Sequence, residues 1–87
     1  MIPIRNPMAA RPERLIARVA KSGREEFRIS LKGYSDGETK AEIRIFERRR
    51  DHDWEETPRH IVIGRDYLLG VVEGLLEASA LLKSEAA

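Results

Sequence analysis

Two stretches near the middle of the chain alternate apolar and polar residues so regularly that they read as β-strands. Residues 27–32 are Phe-Arg-Ile-Ser-Leu-Lys, and residues 40–46 are Lys-Ala-Glu-Ile-Arg-Ile-Phe. Strand side chains point to opposite faces with period two. Phe27, Ile29 and Leu31 therefore share one face, and Arg28, Ser30 and Lys32 the other. In the second stretch Ala41, Ile43 and Ile45 oppose Lys40, Glu42, Arg44 and Phe46. Each strand offers one face to a core and a second that carries cations, in one strand with an aromatic ring. Aligned in one sheet, the second faces form a basic platform able to stack on flat ligands, as single-stranded nucleic acid requires. Nothing on that outward face is expected to belong to the core.

The 87 residues, 41% of them hydrophobic, suit one small folded domain. A core of this size is marginal alone, because chains below roughly 70–80 residues seldom gain more than about 3–5 kcal/mol from it. The absence of cysteine excludes disulfides and thiolate metal sites. No stretch approaches the ~20 apolar residues of a membrane span. Arg5 and Arg11 stand near the N-terminus without the apolar segment of a secretory signal. These features predict a soluble intracellular protein: cytoplasmic and nucleoid-associated if bacterial, nuclear if eukaryotic.

Charge is unevenly spread. Residues 1–33 hold eight Lys/Arg against three Asp/Glu, whereas the whole chain carries a net +1. A basic N-terminal third suggests a local polyanion contact, and for residues 1–14 a solvated basic tail is the equal alternative. Pro3, Pro7 and Pro12 prevent a helix there, so 1–14 reads as a mobile arm, 15–83 as the domain and 84–87 as a tail.

Leu15, Ala17 and Val19 alternate with Ile16, Arg18 and Ala20, which predicts a short first strand. Ser22-Gly23 marks a turn, and a second strand spans about 25–34. Ser35-Asp36-Gly37 is a hairpin signal, with Gly37 free to take a positive φ. The third strand covers about 39–49. Trp54 restarts an extended segment that Pro58 limits to an edge or bulge, and the fourth strand is expected over 59–63. From Arg65 the period changes to 3.6: Leu68, Val71, Val72, Leu75, Leu76, Ser79 and Leu82 form one helical stripe. Gly70 and Gly74 permit close approach of another backbone. Leu69 and Leu81 lie off the stripe, so the apolar surface is broad. Either a second chain covers it, giving a dimer, or the helix covers a wide sheet.

Ser22-Gly23-Arg24-Glu25 leading into Arg28-Ile29-Ser30-Leu31, then Tyr34, then Glu42-Ile43-Arg44 and the ungapped spacing through Trp54 to Ile61-Val62-Ile63 carry a family resemblance. From about Leu15 to Leu82 the chain resembles the positive cofactor four family of transcriptional coactivators and their bacterial relatives. The resemblance implies an α+β fold, a four-stranded curved antiparallel sheet followed by one C-terminal amphipathic helix, as a homodimer. It implies non-catalytic, largely sequence-independent binding of single-stranded DNA, and sometimes melted duplex or RNA, in transcription, replication or repair. Transcription-machinery proteins would be further partners; no cofactor or metal is implied. By matching position Tyr34 takes the family's aromatic at the end of the second strand, Arg44 its third-strand arginine, and Arg59 its lysine before the fourth strand.

Arg28, Lys32 and Lys40 join the nucleic-acid site by strand parity, and Arg48, with Arg49 and Arg50, restores charge from the hairpin. Phe46 shares that parity and either stacks on a base or packs at the dimer contact. The chain departs from the family at Glu47, where a second aromatic is frequent, at Glu55-Glu56, where Lys-Pro is common, and at His60, a frequent glycine. Carboxylates beside a phosphate path oppose binding. The alternative function is therefore a dimeric protein-interaction module of the same fold with weakened or lost DNA binding.

Other signals are weaker. Asp51, His52 and Asp53 are adjacent in sequence and complete no ligand set. The serines lack triad partners, and no phosphate loop is present, so an enzyme is not expected. Trp54 is expected to cap the core beside the fourth strand, with base stacking as its alternative role.

Overall fold

The computed structural model describes residues 13–86. Strands β1 (Glu13–Ala20), β2 (Glu25–Gly33), β3 (Thr39–Arg48) and β4 (Trp54–Ile63) precede one helix, α1 (Arg65–Ala86). The strands form one curved antiparallel sheet in the order β1-β2-β3-β4, an α+β fold. Residues 1–12 of the expected arm lie outside the described residues, and Glu13 and Arg14 open β1. The helix runs on through Ser84 and Glu85, in place of the expected tail. Among the described residues no helix is long and apolar enough to cross a membrane.

Register carries the alternation across the sheet. Phe27 lies opposite Ile45, Ile29 opposite Ile43 and Leu31 opposite Ala41; Arg28 lies opposite Arg44, Ser30 opposite Glu42 and Lys32 opposite Lys40. One face is thus apolar and the other polar. The β2–β3 turn forms as its residues require: Gly37 has φ 88°. The Gly37 amide donates to the Tyr34 carbonyl at 2.9 Å, and the Glu38 amide to Asp36 Oδ1 at 2.9 Å.

Two irregularities change what parity alone predicts. In β1 the register shifts between Leu15 and Ala17, so Leu15 faces Ser30 on the polar side while Ala17 and Val19 face Ile29 and Phe27. On the other edge Arg44 pairs with His60 but Phe46 with Glu56, leaving Thr57-Pro58-Arg59 to bulge against Ile45. Pro58 lies inside this bulge on an edge strand, where proline is tolerated, and β4 runs unbroken from Trp54 instead of starting at Arg59.

The amide of Tyr67 donates to the Gly64 carbonyl at 3.0 Å as α1 begins. Asp66 in the first turn and Lys83 in the last complement the helix dipole. Leu68 meets the sheet beside Leu31, Ala41 and Ile63. Beyond that turn the helix leaves its own sheet. Leu75, Leu76 and Leu82 are exposed, Leu76 at 65%, and Ala41 and Ile63 are the only buried apolar residues among those described. The helix does not cover a wide sheet, and its stripe stays open.

Candidate nucleic-acid interface

The polar face is built around two carboxylates on the central strands. Glu26 in β2 and Glu42 in β3 are buried, Glu42 at 3% exposure, as is Ser30 between them. Long cationic side chains gather over them and turn their charged heads onto the carboxylates, so that Arg28, Lys32 and Arg44 are themselves largely enclosed. Glu26 accepts from Arg18 Nε at 2.8 Å and Nη2 at 3.0 Å, and also from Arg28. Glu42 accepts from Arg44 Nη2 at 2.9 Å and Nε at 3.2 Å, and pairs with Lys32 Nζ at 3.0 Å. Each carboxylate therefore holds two cations, and at the Glu42 end Glu13, 3.8 Å from Lys32 Nζ, and Glu56, 3.9 Å from Arg44 Nε, add further negative charge. Without Glu26 and Glu42 the facing pair Arg28 and Arg44 would repel across the ladder.

The ionisation of these groups follows. Hydrogen bonding by Arg18 holds the Glu26 carboxyl below the usual range; burial opposes this, and Arg28 adds to it. For Glu42 burial is the largest influence and pushes upward, but Arg44 and Lys32 together outweigh it, so its carboxyl is also lowered. The Glu42 hydrogen bond raises Arg44 in turn.

Aromatic rings punctuate the cations. The Arg28 guanidinium lies 4.0 Å from the centre of the Phe46 ring. Trp54 is ringed by Arg48 at 5.0 Å, Arg18 at 5.8 Å and Arg28 at 6.0 Å. At the other end the Lys40 ammonium stands 5.5 Å from the Tyr34 ring and 2.9 Å from Asp36 Oδ2. Burial, then the charge of Glu42, raises the Tyr34 phenol above its ordinary value, so it stays protonated as a donor at neutral pH. Arg44 also has a structural contact: its Nη1 donates to the Thr57 carbonyl at 2.6 Å, while Thr57 Oγ1 donates to the Ile45 carbonyl at 2.6 Å.

Solved structures share this fold. The tetragonal crystal form of a PC4 homologue from Burkholderia pseudomallei superposes with a TM-score of 0.69 at 35% identity, covering 78% of this chain and 98% of that one. The orthorhombic form gives 0.69 at 36% identity, covering 76% and 88%. The chain belongs to the PC4 family. No protein-family model matches it, and no curated protein does.

On this PC4 sheet the expected site residues divide. Arg28, Lys32, Tyr34, Lys40, Arg44, Phe46 and Arg48 gather on or beside the polar face. Arg59 does not join them. It shares the parity of Ile61 and Ile63, lies beside Phe27 and Ile43 on the apolar side, and its Nη2 donates to Glu25 Oε2 at 2.6 Å. The acidic departures also divide. Glu47 lies opposite both Glu25 and Glu55, off the polar face and beside the loop arginines, and only Glu56 faces the site, 3.9 Å from Arg44 Nε. His60 is exposed opposite Arg44, with Nδ1 2.9 Å from the Pro58 carbonyl.

Two further expectations need correction, and one residue joins those expected. The polar face is not free of buried groups, since Glu26, Ser30 and Glu42 are among the most enclosed residues described. Trp54 does not cap the apolar core; it stands among guanidinium groups on the polar face. Arg18 belongs to the site as well, and its place opposite Arg28 follows from β1 pairing. A lone arginine in a short strand gives no such signal until the register is known.

Proposed function

We propose that this PC4-family chain binds single-stranded nucleic acid along its polar face, as a homodimer and without covalent chemistry. The observation that carries the reading is the layout of that face. Arg18, Arg28, Lys32 and Arg44 are held in place by two buried carboxylates, with Tyr34, Phe46 and Trp54 among or beside them. Phosphates meet cations whose side chains are already ordered, and unpaired bases stack on the rings at ~1–3 kcal/mol each. Because the contacts are to phosphate and to the flat faces of bases, binding is largely independent of sequence.

The dimer rests on the open apolar surface. Two buried apolar side chains cannot offset the entropy of ordering a domain, and exposed leucines along α1 mark a surface that another chain covers. A second copy presents the same stripe and the same glycines, as an isologous contact requires.

One observation favours the competing reading, a protein-interaction module. Lys32, Lys40 and Arg44 are each paired with a carboxylate before any ligand arrives. Anisotropy of a labelled thymidine 20-mer decides between them, with a duplex of equal length as competitor. Binding of the single strand at least tenfold more tightly than the duplex supports the first reading. No binding of either at low salt sinks it.

A further inference from the structure

Beyond Arg48, which borders the polar face beside Trp54, one strongly charged part of the molecule is left unused. At the end of the sheet away from the start of α1, the β1–β2 turn and the β3–β4 hairpin come together. The Arg48 amide donates to the Arg24 carbonyl at 2.8 Å, tying one loop to the other. Within the first loop Ser22 Oγ accepts from the amides of Arg24 at 3.2 Å and Glu25 at 3.1 Å. Within the second, the His52 amide donates to the Arg49 carbonyl at 3.0 Å, and Asp51 takes a φ of 61°. A cleft of about 400 Å³ lies between them, lined by Arg24, Arg48, Arg49 and Arg50 with Asp51, and the same four arginines border an adjoining cleft that also holds Glu25 and Glu47. Among the described residues none of the four arginines is ion-paired, in contrast to Arg18, Arg28 and Arg44 on the face.

We infer that this cleft is a second anion site, built for closely spaced phosphates. Charge density carries the argument. Four guanidinium groups against Asp51 and Glu47 leave about two positive charges at this end of the sheet, since Glu25 is already paired with Lys21 and Arg59, whereas a nucleic-acid strand brings one negative charge per nucleotide. A terminal phosphate alone carries about −1.5 to −2 at neutral pH. A run of condensed phosphates concentrates several charges and many acceptor oxygens within reach of four planar forks, each able to bind bidentately. The ligand class is therefore condensed or terminal phosphate, carried by the 5′ end of a strand or by a free polyphosphate. The loops hold this site by their own hydrogen bonds, and Arg24, Arg49 and Arg50 lie outside the polar face, which shares only Arg48 with the cleft.

Isothermal titration of inorganic tripolyphosphate into the full chain, at fixed ionic strength, tests the site directly. The expected result is saturable binding of one per chain, retained with saturating 5′-hydroxyl thymidine 20-mer and weakened at least tenfold in Arg49→Gln/Arg50→Gln. Arg24→Gln, on the opposite loop, should weaken it too. Binding no tighter than inorganic sulfate, equal binding by these variants, or full displacement by the 5′-hydroxyl 20-mer overturns the inference. A 5′-triphosphate 20-mer held at least tenfold more tightly than the 5′-hydroxyl one, in the parent but not the variants, identifies strand ends as the source. Equal affinity of the two oligomers, alongside tripolyphosphate binding, identifies the free anion. The 5′-hydroxyl oligomer reads the polar face and tripolyphosphate reads the cleft, so the two readings fail separately.

Discussion

Arg44 on β3 closes the β4 bulge by donating to the Thr57 carbonyl at 2.6 Å, while its other nitrogens neutralise Glu42. A residue placed to meet a ligand is thus also part of the framework. Arg44→Ala should weaken single-strand binding and also lower stability, by about 1–3 kcal/mol, the usual cost of leaving a buried polar group unsatisfied. Arg44→Lys should recover the charge but not the fork. Urea unfolding measures the stability change, and anisotropy of a labelled thymidine 20-mer the binding. An unchanged urea midpoint for the alanine variant would mean that water replaces the guanidinium at Thr57.

Glu42 and Glu26 should restrain binding while they order its cations. Glu42→Gln removes the nearest carboxylate from Lys32 and Arg44, leaving them only the longer contacts to Glu13 and Glu56, so affinity for a thymidine 20-mer should rise at low salt. The slope of log affinity against log salt should steepen by up to ~0.7 for each additional phosphate that these cations neutralise. Glu26→Gln should act alike through Arg18 and Arg28. If neither slope changes, these cations do not meet phosphate.

Stability should depend on acid through the same pair. Both carboxyls are held below their ordinary value of 4.5 in the folded chain. Such groups contribute stability that is fully present above the unfolded pKa and is lost as pH falls through the folded one. The urea midpoint should therefore be flat with respect to these groups above about pH 5.5 and decline below about pH 4.5. The double variant Glu26→Gln/Glu42→Gln should show a shallower decline, whatever its starting stability.

The open stripe on α1 predicts linkage between folding and assembly. The melting temperature of the parent should rise with protein concentration, as for any fold that a second copy completes. Leu75→Glu places a carboxylate on that stripe, where desolvation is costly, and should abolish both dimer and fold. A folded monomer at micromolar concentration in sedimentation equilibrium would remove the basis for the dimer.

Trp54 is the chain's one tryptophan, so its fluorescence reports on the polar face without a label. Thymidine oligomers should quench it. Trp54→Ala and Tyr34→Ala should each weaken binding several-fold, with little change in salt slope, because stacking displaces few counterions. Phe46→Ala tests the ring beneath Arg28 in the anisotropy assay.

Much of this architecture is legible in residues 25–46, where strict alternation names the two faces and the register of β2 on β3 preserves them. The change of period at Arg65 locates the start of the helix to the residue. What stays hidden depends on irregular pairing or on groups distant in sequence. The bulges move Leu15 to the polar side and merge Trp54 into β4, and alternation cannot announce an extra residue. Arg59 enters the expected site by family position, although its own parity with Ile61 points elsewhere. The double pairing of Glu26 and Glu42 cannot be read from composition, since it needs three strands in register.

Both outer strands of the sheet carry a bulge, β1 at Ile16 and β4 at Thr57–Arg59 with Pro58 inside it. Free edges invite other strands to add, and bulges and prolines are among the devices that prevent it. This sheet leaves its hydrophobic surface uncovered yet spoils the two borders along which a ribbon of copies would grow. The proposed dimer would thereby form through faces and not along edges, as a closed particle of fixed size in place of an open-ended fibre.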